Sequence, residues 1–209
     1  MKRTIAAVAC VLGGLFVGNA HHVSTRQPQK RVQKELSAAD KETRFVRDLM
    51  QKMTLTEKIG QLSQYVGGSL LTGPQSGALS DSLFVRGMVG SILNVGGVEN
   101  LRKLQEKNMQ SSRLKIPVLF AFDVIHGYKT IFPTPLAESC SWDLGLMFET
   151  AKAAAIEASA SGIHWTFAPM VDIARDPRWG RIVEGAGEDT YLACKIAETR
   201  VRGFQWNLG

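Results

Sequence analysis

Apolar residues fall in two rhythms along this chain. Between Arg44 and Met53 they recur at helical spacing, with Phe45, Val46, Leu49, Met50 and Met53 on one face. The stretch Thr54-Leu-Thr-Glu57 is a capping box, which predicts a second helix carrying Ile59 and Leu62. The two helices form a small collar ahead of the main fold. Residues 67–77, rich in Gly, Ser and Pro, read as a loop. Three apolar runs then alternate with helical patterns. Residues 89–95, 116–123 and 164–172 are the predicted strands. Residues 98–110, 142–160 (closed by Gly162 as a C-terminal cap) and 190–204 are the predicted helices.

Strands that are apolar along their whole length and separated by helices belong in a parallel sheet covered on both faces. A right-handed β/α succession fits either a barrel or a doubly wound sheet. No Gly-x-Gly-x-x-Gly or Gly-x-x-x-x-Gly-Lys-Ser/Thr segment follows a strand, which weakens a nucleotide-binding reading. The favoured fold class is α/β, the first part of a (β/α)8 TIM-type barrel. The chain has 209 residues, against roughly 250 for a complete barrel, so the barrel is expected to be incomplete in this chain.

The N-terminus changes the picture of where the protein works. Lys2 and Arg3 precede an apolar run from Ile5 to Val17 and the small-residue exit Gly18-Asn19-Ala20. That pattern predicts a secretory signal over residues 1–20, a linker over 21–40, and the barrel segment over 41–209. The run is too short for a membrane-spanning anchor. Export implies a periplasmic or extracellular setting. Cys140 and Cys194 then sit in an oxidising compartment, where a disulfide is allowed but no spacing indicates one.

The formal charge of +6 lies partly at the N-terminus and partly in the stretch 26–34. That stretch carries no interleaved aromatic residue, so a solvated linker is favoured over a nucleic-acid partner. The histidines are dispersed, and no metal site or cofactor is expected.

In a barrel the working residues sit at the C-terminal ends of strands and in the loops that follow. Asp123 closes the second apolar run. A carboxylate there suits two neighbouring hydroxyls of a sugar ring, or else caps a turn or pairs with a base. After the third run, the segment 171–189 crowds Arg175, Asp176, Arg178, Arg181, Glu184, Glu188 and Asp189 around glycines. Most of these charges must satisfy one another. Arg181, beside Gly180, has a neighbour small enough for a ligand to approach. His126 reads as a structural hydrogen-bonding residue and His164 as packing. Trp142 and Trp165 read as core.

The segments 53–62, 116–136, 142–192 and 200–205 resemble glycoside hydrolase family 3, in that family's order and over about 46–204. The most specific block is the one from Ala168 to Asp189. The resemblance implies a barrel first domain followed by an α/β sandwich domain, with the sugar bound between them. It implies retaining hydrolysis of terminal non-reducing β-D-glucosyl residues by a pair of carboxylates. By position it assigns sugar hydroxyls to Asp123 and Arg181, and loop-holding to Arg175, Arg178, Glu184 and Asp189. The segment around Asp123 is most similar to the bacterial periplasmic glucosidases.

The family's Lys-His pair, nucleophilic Asp and general acid match no residue here, so no catalytic residue is assigned. The chain is expected not to catalyse hydrolysis alone. The implied partner is a β-glucoside or oligosaccharide, with β-xylosidase or another family-3 glycosidase as the alternative activity. Two readings of another class stand beside these: a non-catalytic sugar-binding remnant, and a fragment whose unpaired strand edges prevent stable folding.

Overall fold

A computed structural model describes residues 37–67 and 79–206 of the chain. The predicted signal and most of the predicted linker, like most of the predicted loop 67–77, lie outside the described residues. By its contacts the chain divides between Glu42 and Thr43, and the unit that starts at Thr43 contains every described strand.

Four strands form one parallel sheet in sequential order, β1 Gln64–Val66, β2 Ser91–Leu93, β3 Leu119–Phe122 and β4 Trp165–Thr166. Each strand pairs only with its neighbours in sequence, as in Gln64 with Ser91, Ile92 with Phe120 and Ala121 with Trp165. That order is the one a barrel takes when it winds one β/α unit after another, and a doubly wound sheet would reverse direction from its centre. Helices α1 Ala38–Lys52 and α2 Leu55–Gln61 precede β1; α3 Asp81–Val85, α4 Val98–Ser111, α5 Pro135–Ser139 and α6 Leu144–Ala160 lie between the strands; and α7 Thr190–Phe204 follows β4. A short 3₁₀ turn at Ile182–Glu184 precedes α7.

The core gathers Ile92, Val95, Phe120 and Val124 from the sheet with Phe84, Leu101, Ala154, Ala158 and Ile163 from its surroundings. Side-chain amides of α4 complete the start of β3. Gln105 donates to the Val118 carbonyl at 3.0 Å and accepts from the Val118 N–H at 2.9 Å. Asn108 donates to the Ile116 carbonyl at 2.7 Å. The strand therefore enters the sheet with its backbone groups already paired.

Several expectations hold. The capping box forms as read, with Thr54 N–H donating to Glu57 at 2.8 Å and Glu57 N–H donating to the Thr54 hydroxyl at 3.2 Å. Helix α6 closes at Gly162, whose φ of +89° is a left-handed value that only glycine takes without strain.

Other expectations need correction. Strand β1 was not foreseen. Its three residues follow directly on the second helix and carry too few positions to show a period. The third predicted strand, 164–172, is reduced to two residues, because Pro169 has no N–H and β4 has a neighbour on one side only. Trp142 and Trp165 are not core: they are 74% and 43% exposed. Helix α1 forms, yet none of its residues is buried among the described residues, and Phe45, Val46 and Met50 face outward.

Candidate functional site

Asp123 follows the last residue of β3 and is exposed at the strand's C-terminal end, where the sequence placed it. The backbone on both sides of it is fixed. Before it, Ala121 accepts from the Asn94 N–H at 3.0 Å. After it, the buried Val124 donates its N–H to the Thr166 hydroxyl of β4 at 3.2 Å. One residue further, the Ile125 carbonyl accepts from Arg200 Nη2 at 2.7 Å. Among the described residues no hydrogen bond holds the Asp123 carboxylate itself, so neither capping nor an ion pair accounts for it.

The connection from residue 127 to 134 curls back under this strand end. Gly127 takes φ +111°, and a Cβ there would lie 1.9 Å from the Thr130 carbonyl oxygen, so no side chain fits. Glu157 of α6 receives the loop: its Oε2 accepts from the N–H groups of Lys129 and Thr130, both at 2.8 Å, and its Oε1 from the Thr130 hydroxyl at 2.6 Å. These donors, the Thr130 hydroxyl first, hold the Glu157 carboxyl below its ordinary value. His126 makes a 3.2 Å contact from Nδ1 to the Phe132 carbonyl, the structural role expected of it. His164 accepts from the Phe120 N–H at 3.2 Å and stacks on the Phe120 ring.

The glycine-rich charged loop supplies the second half. It closes on itself where the Ala174 N–H donates to the Gly187 carbonyl at 3.1 Å. Within that closure Arg181 points its guanidinium at Glu184, with Nε to Oε1 at 2.9 Å and Nη2 to Oε2 at 2.5 Å. Glu184 raises the pKa of Arg181 most, and the negative charges of Asp172 and Asp123 add to it. The charge of Asp123, singled out separately in the sequence, is thus felt at Arg181, as the smallest of these contributions.

The rest of the loop is less knitted than its charge density suggests. Arg178 turns back on Asp176, with Nε to Oδ1 at 2.9 Å. Asp189 caps α7, accepting from the Leu192 N–H at 2.6 Å. Arg175 and Glu188 make no ion pair among the described residues. They do not hold the loop in the way their positions imply.

Sequence reasoning missed the polar group buried under this site. Arg200 of α7 and Glu138 of α5 form an ion pair with side chains 5% and 3% exposed. Thr150 of α6 donates to Glu138 at 2.5 Å. Burial pulls the Arg200 guanidinium below its ordinary value, against the opposing pull of Glu138. The signal was available: Ala193, Ile196 and Arg200 share one helical stripe, so an arginine stands where the pattern calls for an apolar residue.

A groove of about 590 Å³ runs beside α6, β4 and α7, lined by Ile156, Trp165, Thr166, Val201, Phe204 and Trp206 among others. Neither Asp123 nor Arg181 lines it. It follows the edge of β4, the flank that a further β/α unit covers in a closed barrel. Its apolar walls therefore reflect packing, and the strand-end geometry is the better guide to the site. Among the described residues no group of His, Cys, Asp and Glu is arranged to hold a metal ion, and no helix is long and apolar enough to cross a membrane.

Residues 54–207 match the family described as Glycosyl hydrolase family 3 N terminal domain. The chain belongs to glycosyl hydrolase family 3. It is 43% identical over 162 residues to the periplasmic beta-glucosidase of Salmonella typhimurium, covering 77% of this chain and 20% of that protein. The beta-glucosidase of Listeria innocua in complex with isofagomine superposes with a TM-score of 0.71 at 42% identity, over 78% of this chain and 23% of that one. The same enzyme in complex with glucose gives 0.69 at 38%, over 78% and 24%. The family-3 chain described here thus spans a fifth to a quarter of the length of these relatives. Its four β/α units are part of the family's barrel, the fold class that the alternating pattern predicts.

Proposed function

We propose that this family-3 chain contributes the sugar-binding side of a β-glucosidase, an enzyme that hydrolyses terminal non-reducing β-D-glucosyl residues with retention. The observation that carries this reading is the exposed Asp123 carboxylate, without a hydrogen-bond partner among the described residues, at the end of β3 with the backbone on both sides of it hydrogen-bonded. A carboxylate and a guanidinium together offer a sugar both acceptors and donors. Asp123 accepts from two ring hydroxyls, and the donors that Arg181 does not spend on Glu184 reach hydroxyl oxygens. Glucose over xylose is supported by the names of the Salmonella and Listeria relatives.

These residues bind and orient, and bond cleavage is assigned to none of them. Retaining hydrolysis needs two carboxyl groups about 5 Å apart across the glycosidic bond. Asp123 is already committed to hydroxyls in this reading. An exported, periplasmic or extracellular setting belongs to the same proposal. It is supported by the signal pattern of residues 1–20 and by the name of the Salmonella relative.

The test is hydrolysis of p-nitrophenyl β-glucoside and β-xyloside by the full-length protein that carries this segment. The glucoside is expected to be the better substrate. D123N is expected to lower kcat/KM about 10–100-fold, the scale of a lost charge-assisted hydrogen bond. Glucoside hydrolysis that D123N leaves unchanged would remove Asp123 from the site. A preference for the xyloside would replace the assigned sugar.

A further inference from the structure

We infer that Arg200 is a positioning residue for the sugar site: from beneath the sheet it holds the Ile125 carbonyl and so fixes the turn that presents Asp123. This rests on the assignment of Asp123 to the sugar. Arg200 is 4% exposed and has two committed partners, the Glu138 carboxylate through Nη1 and the Ile125 carbonyl through Nη2. Its Nε is buried without a partner among the described residues. Pairing with Glu138 alone does not account for the second arm of the fork, which is given to a loop carbonyl. Nor does packing explain a charge on a stripe otherwise made of Ala193, Ile196 and Gly203, since an apolar side chain there serves stability as well or better.

The geometry explains what the second arm achieves. Asp123 sits between two anchors, the β3 ladder before it and the Val124–Ile125 backbone after it. Val124 N–H reaches Thr166 of β4, and the Ile125 carbonyl reaches Arg200 of α7. Glu138 of α5 holds the guanidinium, and Thr150 of α6 in turn holds the second oxygen of Glu138. Three helices are thereby wired to one backbone carbonyl two residues from the proposed sugar ligand. Losing the wire leaves a part-buried carbonyl without its arginine partner and frees the Asp123 turn to rotate, which weakens sugar binding while leaving chemistry at the bond-breaking carboxylates largely alone.

The experiment uses the full-length protein and two readouts, the calorimetric Kd for isofagomine and the KM and kcat for p-nitrophenyl β-glucoside. R200M/E138L removes both buried charges together, so the fold does not have to bury one alone; Thr150 keeps its 3.1 Å bond to the Met147 carbonyl. Circular dichroism and Tm establish that the double variant is folded. The expected result is a Kd and a KM about tenfold higher with kcat within about threefold of wild type, a size set by one lost hydrogen bond to a charged group. R200K, which can still donate to Ile125, is expected to recover part of the affinity.

A folded R200M/E138L with unchanged Kd and KM overturns the positioning role, and so does a loss that falls on kcat alone. If R200M/E138L does not fold, R200Q/E138Q, whose shorter neutral side chain at 200 cannot span to Ile125, decides: unchanged Kd and KM overturn the role, and a raised KM at unchanged Tm supports it. If wild type binds no isofagomine and hydrolyses no glucoside, the reading of Asp123 fails first. That outcome shows in the wild-type control alone, and the positioning role falls with it.

Discussion

Glu184 grips Arg181 in a two-pronged bond, 2.9 Å at one prong and 2.5 Å at the other. The sequence separated these residues, giving Arg181 to the sugar and Glu184 to the loop. In the structure the two form one ion pair. A guanidinium has five N–H donors, and the fork to Glu184 leaves others for the proposed sugar contact. Glu184 is then the group that aims Arg181, and its own pKa is held down by Arg181 in return. E184Q keeps an acceptor but loses the charge. It is expected to raise KM for a β-glucoside by roughly two- to fivefold, the range of a partly exposed ion pair. R181A is expected to raise it about 10–100-fold, since the sugar contact goes as well. Equal effects of the two substitutions, in steady-state kinetics on the full-length protein, would show that Glu184 touches the sugar itself.

The same carboxylate chemistry works at the opposite end of the sheet. Glu57 accepts from the Thr54 backbone in the capping box and from Arg113 at 3.0 and 2.7 Å. Arg113 first, and then the Thr54 N–H, pull its pKa from 4.5 down to about 2. A carboxyl depressed on folding contributes stability that is complete above its unfolded pKa and lost as pH falls through the folded one. The window is therefore pH 4.5 down to about 2. E57Q preserves the box, because Gln also serves at that position, and removes the charge. Its Tm is expected to be lower by about 2–4 °C at neutral pH and to converge on wild type toward pH 2. A gap in thermal melts that persists across that range would assign the effect to the cap.

How much of this was legible follows from where each signal resides. Helices with a period, such as α7, were read to their bounds, and the box at Thr54 and Glu57 was visible as four adjacent letters. Asp123 and Arg181 could be named because strand ends and glycine-flanked charges are local features. Strand β1 was lost because three residues carry no period, and β4 was overdrawn because an apolar run does not say where pairing stops. Arg200 and Glu138 stand 62 residues apart. Their pairing depends on the angle between α5 and α7, which no local pattern encodes. Only the misfit of an arginine on an apolar stripe pointed to it.

Glu157 ties the connection after β3 to α6, and its role is separable from sugar contact. Its bonds to the Lys129 and Thr130 N–H groups and the Thr130 hydroxyl need the ionised form, since a protonated carboxyl accepts less well. The lowered pKa means the clamp's contribution is complete above the ordinary carboxylate value and is lost as pH falls from there through the depressed folded value. In hydrogen exchange, the amides of Lys129 and Thr130 are expected to lose most of their protection in E157A at neutral pH. In wild type the same loss is expected only in acid. Protection that survives E157A would place the restraint in the Gly127–Ile131 bridge instead.

The contact between α6 and α7 turns on a missing side chain. Gly203 lies in the last turn of α7, and a Cβ built there would sit 2.6 Å from the Phe148 carbonyl oxygen and 2.8 Å from Ala151 Cβ, both on α6. Two effects of Gly203→Ala oppose each other. Helix propensity favours alanine by about 1 kcal/mol. Forcing a methyl group into a filled contact costs about 1–3 kcal/mol, and more when the obstacle is backbone that cannot rotate away. Here the nearest obstacle is a backbone oxygen, so the second effect is expected to win. G203A should lower Tm by about 2–8 °C. The shift in helix position should also propagate to Arg200, one turn earlier on the same face, and raise KM modestly through the Ile125 carbonyl. A stabilised G203A, in thermal melts at neutral pH, would show that the two helices can move apart far enough to admit the methyl group at little cost.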